Sequence, residues 1–284
     1  MKVLLLGGHG LLGSALRATA PEGIEIAAPR RLQVDVTDRD ALARAVDAAE
    51  PSWIMHCAAF TAVDLAEEAP SEAMRVNAES VRTVAALAAS RGASVLLPSS
   101  DYVFDGPRST PWNEEDAPAP RSAYARSKRA GEEALLSSGA MGIVVRTSWL
   151  FGRAGKNFPR TMWTRARART ASQVVDDQRG APTFADDLAR WCWELVAAKG
   201  AGIYHATNAG SASWWDVARR IYARAGWESG VSTTTTAALK SPAARPAYSV
   251  LGCARLDALL GGARRPWEKA LDEYLEILES AEAA

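Results

Sequence analysis

Tyr124 and Lys128 stand four residues apart in the run Tyr124-Ala125-Arg126-Ser127-Lys128. On a helix this spacing puts both side chains on one face, a single turn apart. A free phenol titrates near ~10, too high for ready proton exchange at neutral pH, and an ammonium group beside it favours the phenolate. The pair is therefore a candidate proton donor or acceptor with its tuning charge. Chance produces the same spacing on solvated helices, so its meaning depends on the elements around it. Ser100 supplies a hydroxyl just beyond an apolar run at 93–97, where an open parallel sheet would place it in the same crevice.

The elements needed to position these groups are visible from the N-terminus onward. Residues 2–6 read as a short buried parallel strand, followed at once by Gly7-Gly8-His9-Gly10-Leu11-Leu12-Gly13 and a helical run from Ser14. Glycines at 7, 10 and 13 at a strand-to-helix junction suit a tight turn, close approach to a pyrophosphate and close helix packing. The helix N-terminus adds unpaired N–H groups for phosphate, so Gly7, Gly10, Leu11, Leu12 and Gly13 are candidate cofactor contacts. The second strand, 23–28, ends in Pro29-Arg30-Arg31 with no carboxylate to hold a ribose 2′-hydroxyl. Arg30 and Arg31 suit a 2′-phosphate, which favours NADPH, with NADH as the alternative. Asp35 and Val36 could lie against the adenine. The third strand, 53–56, runs into Cys57-Ala58-Ala59-Phe60-Thr61-Ala62-Val63-Asp64, where small residues let a cofactor lie close. A long helix over 69–90 carries Asn77, a proline- and charge-rich loop covers 107–121, and strand 142–146 follows the Tyr124 helix. Alternating strands and helices at these spacings predict an α/β fold with a doubly wound parallel sheet.

The second half is less regular. A basic helix over 157–169 carries Arg160, Arg165, Arg167 and Arg169, a solvated face or one that meets a phosphorylated substrate. Segment 173–180 reads as a strand, 202–206 as another, and 184–198, 213–225 and 265–280 as helices, with a frayed end over 280–284. Trp191, Trp193, Trp214 and Trp215 sit at helical spacing and read as core or interface. The expected division is an NAD(P)-binding Rossmann domain over 1–150 and a smaller substrate-binding part over 151–284, some segments of which return to the sheet.

Composition excludes several classes. Among 284 residues, 33 are basic and 33 acidic, a balance that gives no electrostatic reason for nucleic acid or a membrane surface. No stretch approaches the ~20 apolar residues of a membrane span, and the N-terminal apolar run is too short for a signal segment. Cys57, Cys192 and Cys253 are odd in number and widely separated, so they read as reduced thiols of a cytoplasmic protein. His9, His56 and His205 show no ligand spacing, and no metal is expected.

The glycine loop, Ser100 and the Tyr124–Lys128 pair in this order resemble the extended short-chain dehydrogenase/reductase superfamily. Within it, the resemblance is closest to the dTDP-4-dehydrorhamnose reductase family. It covers almost the whole chain and rests on Ala58-Ala59-Phe60-Thr61-Ala62-Val63-Asp64, Ser100-Asp101-Tyr102-Val103-Phe104, Arg146-Thr147-Ser148-Trp149, Asp177-Gln178-Arg179-Gly180-Ala181-Pro182-Thr183 and Arg245-Pro246.

The resemblance implies hydride transfer from NAD(P)H to C4 of a dTDP-linked 4-keto-6-deoxy sugar. It makes Tyr124 the proton donor, and Lys128 the group that lowers its pKa and holds the nicotinamide ribose. Ser100 would hydrogen-bond the carbonyl oxygen. Ala58, Ala59, Phe60 and Thr61 would contact cofactor; Asp101, Tyr102 and Trp149 would join Ser100 at the substrate. The chain departs from the family's common pattern at Ser100, where threonine is frequent, and at Phe60, where histidine is frequent. It also has Ala15 where some members carry a carboxylate for a metal-bridged dimer, so a monomer or plain homodimer is expected. Two other readings share the fold: a non-catalytic NADP-binding regulatory subunit like that of methionine adenosyltransferase, and a reductase or epimerase of another nucleotide-linked 4-keto deoxysugar.

Overall fold

Alternation along the first strand decides the layers. In the computed structural model, which describes residues 1–283 and side chains through Glu282, β1 is Lys2–Leu6. Val3 and Leu5 pack into one core while Leu4 and Leu6 pack into another, because successive side chains of a strand point to opposite faces. The sheet also contains β2 (Glu25–Ala27), β3 (Trp53–His56), β4 (Ser94–Ser100), β5 (Gly142–Thr147) and β6 (Gly202–His205). All pair in parallel, in the order β6-β5-β4-β3-β1-β2. The order reverses between β1 and β3, the switch point where open α/β sheets bind ligands at their carboxyl ends.

The helix Leu11–Ala18 covers one face with Ala185–Ala197, and Trp193 Nε1 donates to Leu16 O at 3.1 Å. Helices Arg39–Ala49, Ser80–Arg91 and Ala123–Leu136 cover the other. The chain thus leaves the sheet after β5, builds a second lobe, and comes back twice. Residues 185–205 supply a covering helix and β6, and Leu251, Cys253 and Leu256 join the first core. The second lobe has its own core of Phe151, Trp163, Phe184, Ile221, Tyr222, Leu271 and Tyr274.

Several elements differ from the sequence expectation. The long helix over 69–90 is Pro70–Met74 and Ser80–Arg91 joined by a π-helical turn, Arg75–Glu79, with Asn77 at its middle. Segment 173–180 breaks at 176–178 into Ser172–Val175 and Arg179–Gly180, which pair with different partners, Val231–Thr234 and Ala212–Ser213. The last helix begins at Trp267, after Pro266, and runs to Ala283, so the fraying expected from 280 is absent over 280–283; Ala284 lies outside the described residues. Helices Val63–Glu68 and Ala254–Leu260 carry no strong periodic signal and were not anticipated.

Gly131 sets the approach of the Tyr124 helix to the π turn. A Cβ there would lie 2.2 Å from Asn77 O, a backbone atom that cannot step aside. Gly131→Ala should therefore cost about 1–3 kcal/mol through overpacking, measured by urea unfolding.

Candidate active site

Four strand ends converge at the carboxyl edge of the sheet. Ser100 is the last residue of β4, and Tyr124 is the second residue of the helix Ala123–Leu136. That helix begins where it does because Ser122 Oγ accepts from Ala125 N at 3.1 Å and a Glu67 carboxylate oxygen accepts from Ala123 N at 2.7 Å. Lys128 follows one turn later. The three line one crevice of about 370 Å³ with Gly10, Leu11, Leu12, Ala59, Thr61, Asp101 and Trp149. Among its other walls, Thr147 and Ser148 stood only in a motif block of the sequence, and Pro98 and Leu150 carried no expected role.

A cleft of about 350 Å³ adjoins it, lined by Gly7, Arg31, Asp35, Val36, Ala58 and Phe60; Gly10 and Ala59 line both, which makes one continuous groove. Gly7 has φ +76°, and a Cβ on it would lie 2.5 Å from Ala58 N, so the turn is bare backbone by necessity. The open turn, the small residues after β3 and the helix N-terminus at Leu11 fit a dinucleotide's pyrophosphate. Two expected cofactor residues do not line the groove. Gly13 is needed for packing, because a Cβ there would meet Gly7 O at 2.2 Å. Arg30 is exposed and outside the lining, whereas Arg31 faces it with its guanidinium 3.8 Å from Asp35. One Asp35 oxygen accepts from Thr37 N and Oγ1 at 2.9 and 2.8 Å, bonds that hold the carboxyl below its usual range.

Burial governs the charges in the crevice. It pushes the Tyr124 phenol up to about 12; a hydrogen bond with Ser100 opposes this, and the Asp101 charge adds to it. The expected lowering by Lys128 does not set the net direction, which burial does. The Lys128 ammonium donates to Pro98 O at 2.8 Å, and removal of the phenol from water outweighs any help to its anion. Burial also lowers Lys128 to about 8, and the Glu132 carboxylate, one further turn along the helix, pulls it back up. Glu132 is pushed up by burial, yet the two bonds from Arg146, at 2.9 and 2.7 Å, and the Arg146 charge bring it below the carboxylate range. Asp101, raised to about 7 by burial, accepts from Ser100 Oγ at 3.1 Å on one oxygen, while the other is buried without a partner. Ser100 Oγ in turn accepts from Tyr102 N at 3.1 Å.

Past the crevice lies a third cavity, of about 480 Å³, lined by Tyr102, Phe158, Arg165, Gln178, Trp214, Leu239 and Arg245. Consecutive residues divide the two spaces: Asp101 lines the crevice and Tyr102 the cavity. The basic helix is Phe158–Arg167, so Arg169 falls beyond its end, and of the four arginines only Arg165 lines the cavity; Arg160 bonds Tyr274 and Arg153 O, Arg167 pairs with Glu282, and Arg169 bonds Gly226 O. Trp214, read from spacing as core or interface, is half-buried and stacks on Trp149 with ring centroids 3.7 Å apart. Arg245 reaches back to the first turn of the helix Val63–Glu68 and grips Asp64 with two bonds, at 2.9 and 2.7 Å. No local pattern marks Trp214 or Arg165 as different from their neighbours; Gln178 and Arg245 stood only in the motif blocks.

Fold and crevice together define an extended short-chain dehydrogenase/reductase: a parallel sheet with a glycine turn at β1, and Ser, Tyr and Lys at the carboxyl ends. More narrowly, the chain belongs to the RmlD substrate binding domain family, whose profile matches residues 1–280. It is 42% identical over 286 residues to a probable dTDP-4,6-dihydroxy-2-methyloxan-3-one 4-ketoreductase of Streptomyces antibioticus, covering 99% of this chain and 97% of the relative. A dTDP-4-dehydrorhamnose reductase of Streptomyces griseus is 40% identical, with 97% and 93% covered. The crystal structure of a dTDP-4-dehydrorhamnose reductase from Bacillus anthracis in complex with NADP superposes with a TM-score of 0.92 at 34% identity, covering 97% of this chain and 99% of that one.

The charges on the Tyr124 helix can be tested directly. Lys128 Nζ should titrate near 8 by NMR and at lower pH in Glu132→Gln, because the carboxylate that favours its charged form is gone. The same variant should lose about 3–5 kcal/mol of stability, since Arg146 is left buried without its partner.

Proposed function

We propose that this chain reduces the C4 keto group of dTDP-4-dehydro-L-rhamnose to give dTDP-L-rhamnose, with NADPH as hydride donor. The observation that carries the reading is the sharing of one crevice by Ser100, Tyr124, Lys128 and Trp149, continuous with the glycine-turn cleft. Relatives of the same family at 34–40% identity over nearly the whole chain are named dTDP-4-dehydrorhamnose reductases.

The roles follow from the chemistry of each side chain. Backbone N–H groups at Gly7, Gly10, Leu11 and Leu12 would hold the pyrophosphate, and Ala58, Ala59, Phe60 and Thr61 would contact the cofactor along the same groove. Val36 and Asp35 would take the adenine end, and Arg31 would pair with a 2′-phosphate. Bound reduced nicotinamide supplies the hydride. Lys128 uses one of its three donors on Pro98 O and keeps the others for the ribose hydroxyls. Tyr124, with its phenol held near 12, keeps its proton at neutral pH and so enters the reaction as an acid. Ser100 lies where negative charge grows on the carbonyl oxygen, and its hydroxyl turns from Asp101 to donate there. Asp101 and Trp149 bound the sugar. Tyr102 belongs to the next cavity, which takes the nucleotide end against Arg165 and Gln178.

A related 4-keto deoxysugar is the second reading, favoured by the 42% identity to the Streptomyces antibioticus ketoreductase. The intact Ser100, Tyr124 and Lys128 set speaks against a retired, purely regulatory site. The free thiols of Cys57, Cys192 and Cys253 suit a cytoplasmic setting, and all three spaces of the site lie within one chain, so a monomer or a homodimer serves equally.

Cofactor-oxidation assays across dTDP- and UDP-linked 4-keto sugars decide between the readings. NADPH consumption with dTDP-4-dehydro-L-rhamnose as the best substrate is expected; preference for another sugar moves the assignment to the second reading. Tyr124→Phe should lower kcat by about 10²–10⁴. Ser100→Ala should lower it by about 10²–10³ with little change in KM, and full turnover in either variant refutes the assigned roles. Arg31→Ala should raise KM for NADPH about tenfold and leave KM for NADH nearly unchanged, which steady-state kinetics with each cofactor will read.

A further inference from the structure

Trp149 has φ +48°, in the left-handed region that a bulky aromatic residue enters only when its surroundings hold it there. Three contacts do so. Its carbonyl accepts from Thr183 N at 3.3 Å, where the chain pairs Leu150–Phe151 with Thr183–Phe184. Its indole lies against the bare Cα of Gly180, where a Cβ would come within 2.4 Å of the ring. Its ring then stacks on Trp214, at 3.7 Å between centroids and 8° between planes.

Trp214 is itself held firmly. Ser213 caps its helix in a reciprocal pair with Asp216, which fixes the backbone at the first helical residue. Its Nε1 donates to Gln178 Oε1 at 3.2 Å, and Gln178 Nε2 donates to Thr236 Oγ1 at 2.9 Å. Phe158 packs edge-on against the ring at 4.7 Å. The two indoles face different spaces: Trp149 lines the crevice with Ser100 and Tyr124, and Trp214 lines the neighbouring cavity with Arg165 and Gln178.

We propose that Trp214 is the positioning residue for Trp149, and that the stacked pair is the partition across which a nucleotide-linked sugar is laid, sugar on one side and nucleotide on the other. This rests on the function proposed above and extends it, because it assigns selection for the sugar–diphosphate–nucleoside span to a residue of the second lobe that touches no reacting atom. Loss of the Trp214 ring frees Trp149 to leave its left-handed conformation and lets the sugar drift from Ser100 and Tyr124. A flat ring at 214 restores the stack.

Three variants test this: Trp214→Ala, Trp214→Phe and Trp149→Phe. Stacked indoles couple their transitions and give a circular-dichroism couplet, which the wild type should show and which Trp214→Ala and Trp149→Phe should lose. In steady-state assays Trp214→Ala should raise KM for dTDP-4-dehydro-L-rhamnose by about tenfold or more while the Kd for NADPH stays within about twofold, and Trp214→Phe should remain within about threefold of wild type in KM. A wild-type KM in Trp214→Ala overturns the proposal, as does a Trp214→Phe variant impaired as much as Trp214→Ala. If the wild type reduces none of the dTDP-linked 4-keto sugars, the proposed function falls. The stacked partition is then decided by the wild-type couplet: its presence, with loss in both Trp214→Ala and Trp149→Phe, upholds the stack, and its absence from the wild type overturns the proposal.

Discussion

Asn77 ties together the two strips of chain that have to meet at the crevice. Its side-chain oxygen accepts from Phe60 N at 2.8 Å, and its amide nitrogen donates to Phe60 O at 2.9 Å and to Ser127 Oγ at 2.9 Å. Ser127 Oγ donates in turn to Tyr124 O at 2.7 Å. A buried amide with every bond satisfied is worth keeping because leaving any partner unmade would carry the full desolvation cost of that group. The π turn around Asn77 opens the helix enough for the side chain to reach both strips, a common use of such turns at functional sites. The loop that flanks the cofactor cleft and the helix that carries Tyr124 and Lys128 are therefore one mechanical unit.

The second constraint is electrical. Lys128, Glu132 and Arg146 are all nearly out of water, and none would be tolerable there alone. Glu132 is satisfied by Arg146 and by Arg129, and it supports the charge of Lys128 one turn away. Arg146 also lies over the Phe104 ring, 4.9 Å from its centroid, where the ring face attracts the cation. Burial also pushes the Tyr124 phenol and the Asp101 carboxyl up, so the same exclusion of water bears on the neutral groups of the crevice as on the ion pairs.

Division of the site between two lobes follows from chain topology. The crevice is built by strand ends of the parallel sheet, whereas the cavity beyond it is built by the second lobe around Trp214, Gln178 and Arg165. The lobes are bound by the Arg245–Asp64 ion pair, by the Trp149–Trp214 stack and by a chain that crosses between them several times. A clean cut near 150 would sever β6 and the helix Ala185–Ala197 from the sheet they complete.

Much of this was legible in the chain itself. The strand at 2–6, its glycine turn, the hydroxyl at Ser100 and the Tyr124–Lys128 spacing are local patterns, and short-range sterics and periodicity are enough to place them on their elements. Other features were not local. Whether Arg30 or Arg31 faces the cleft depends on how the loop after β2 turns, which adjacent identical side chains cannot reveal. Trp214 looks like any core tryptophan until Trp149, distant in sequence, is laid upon it. The direction of the Tyr124 pKa depends on how much water the folded crevice excludes, and burial is its first cause where spacing alone would credit the lysine. The sequence by itself determined the order of elements and the chemical groups available, because those rest on neighbours along the chain. Only the tertiary structure decided which groups meet, which stay dry and which way each proton is biased, because those rest on contacts between residues far apart in the chain.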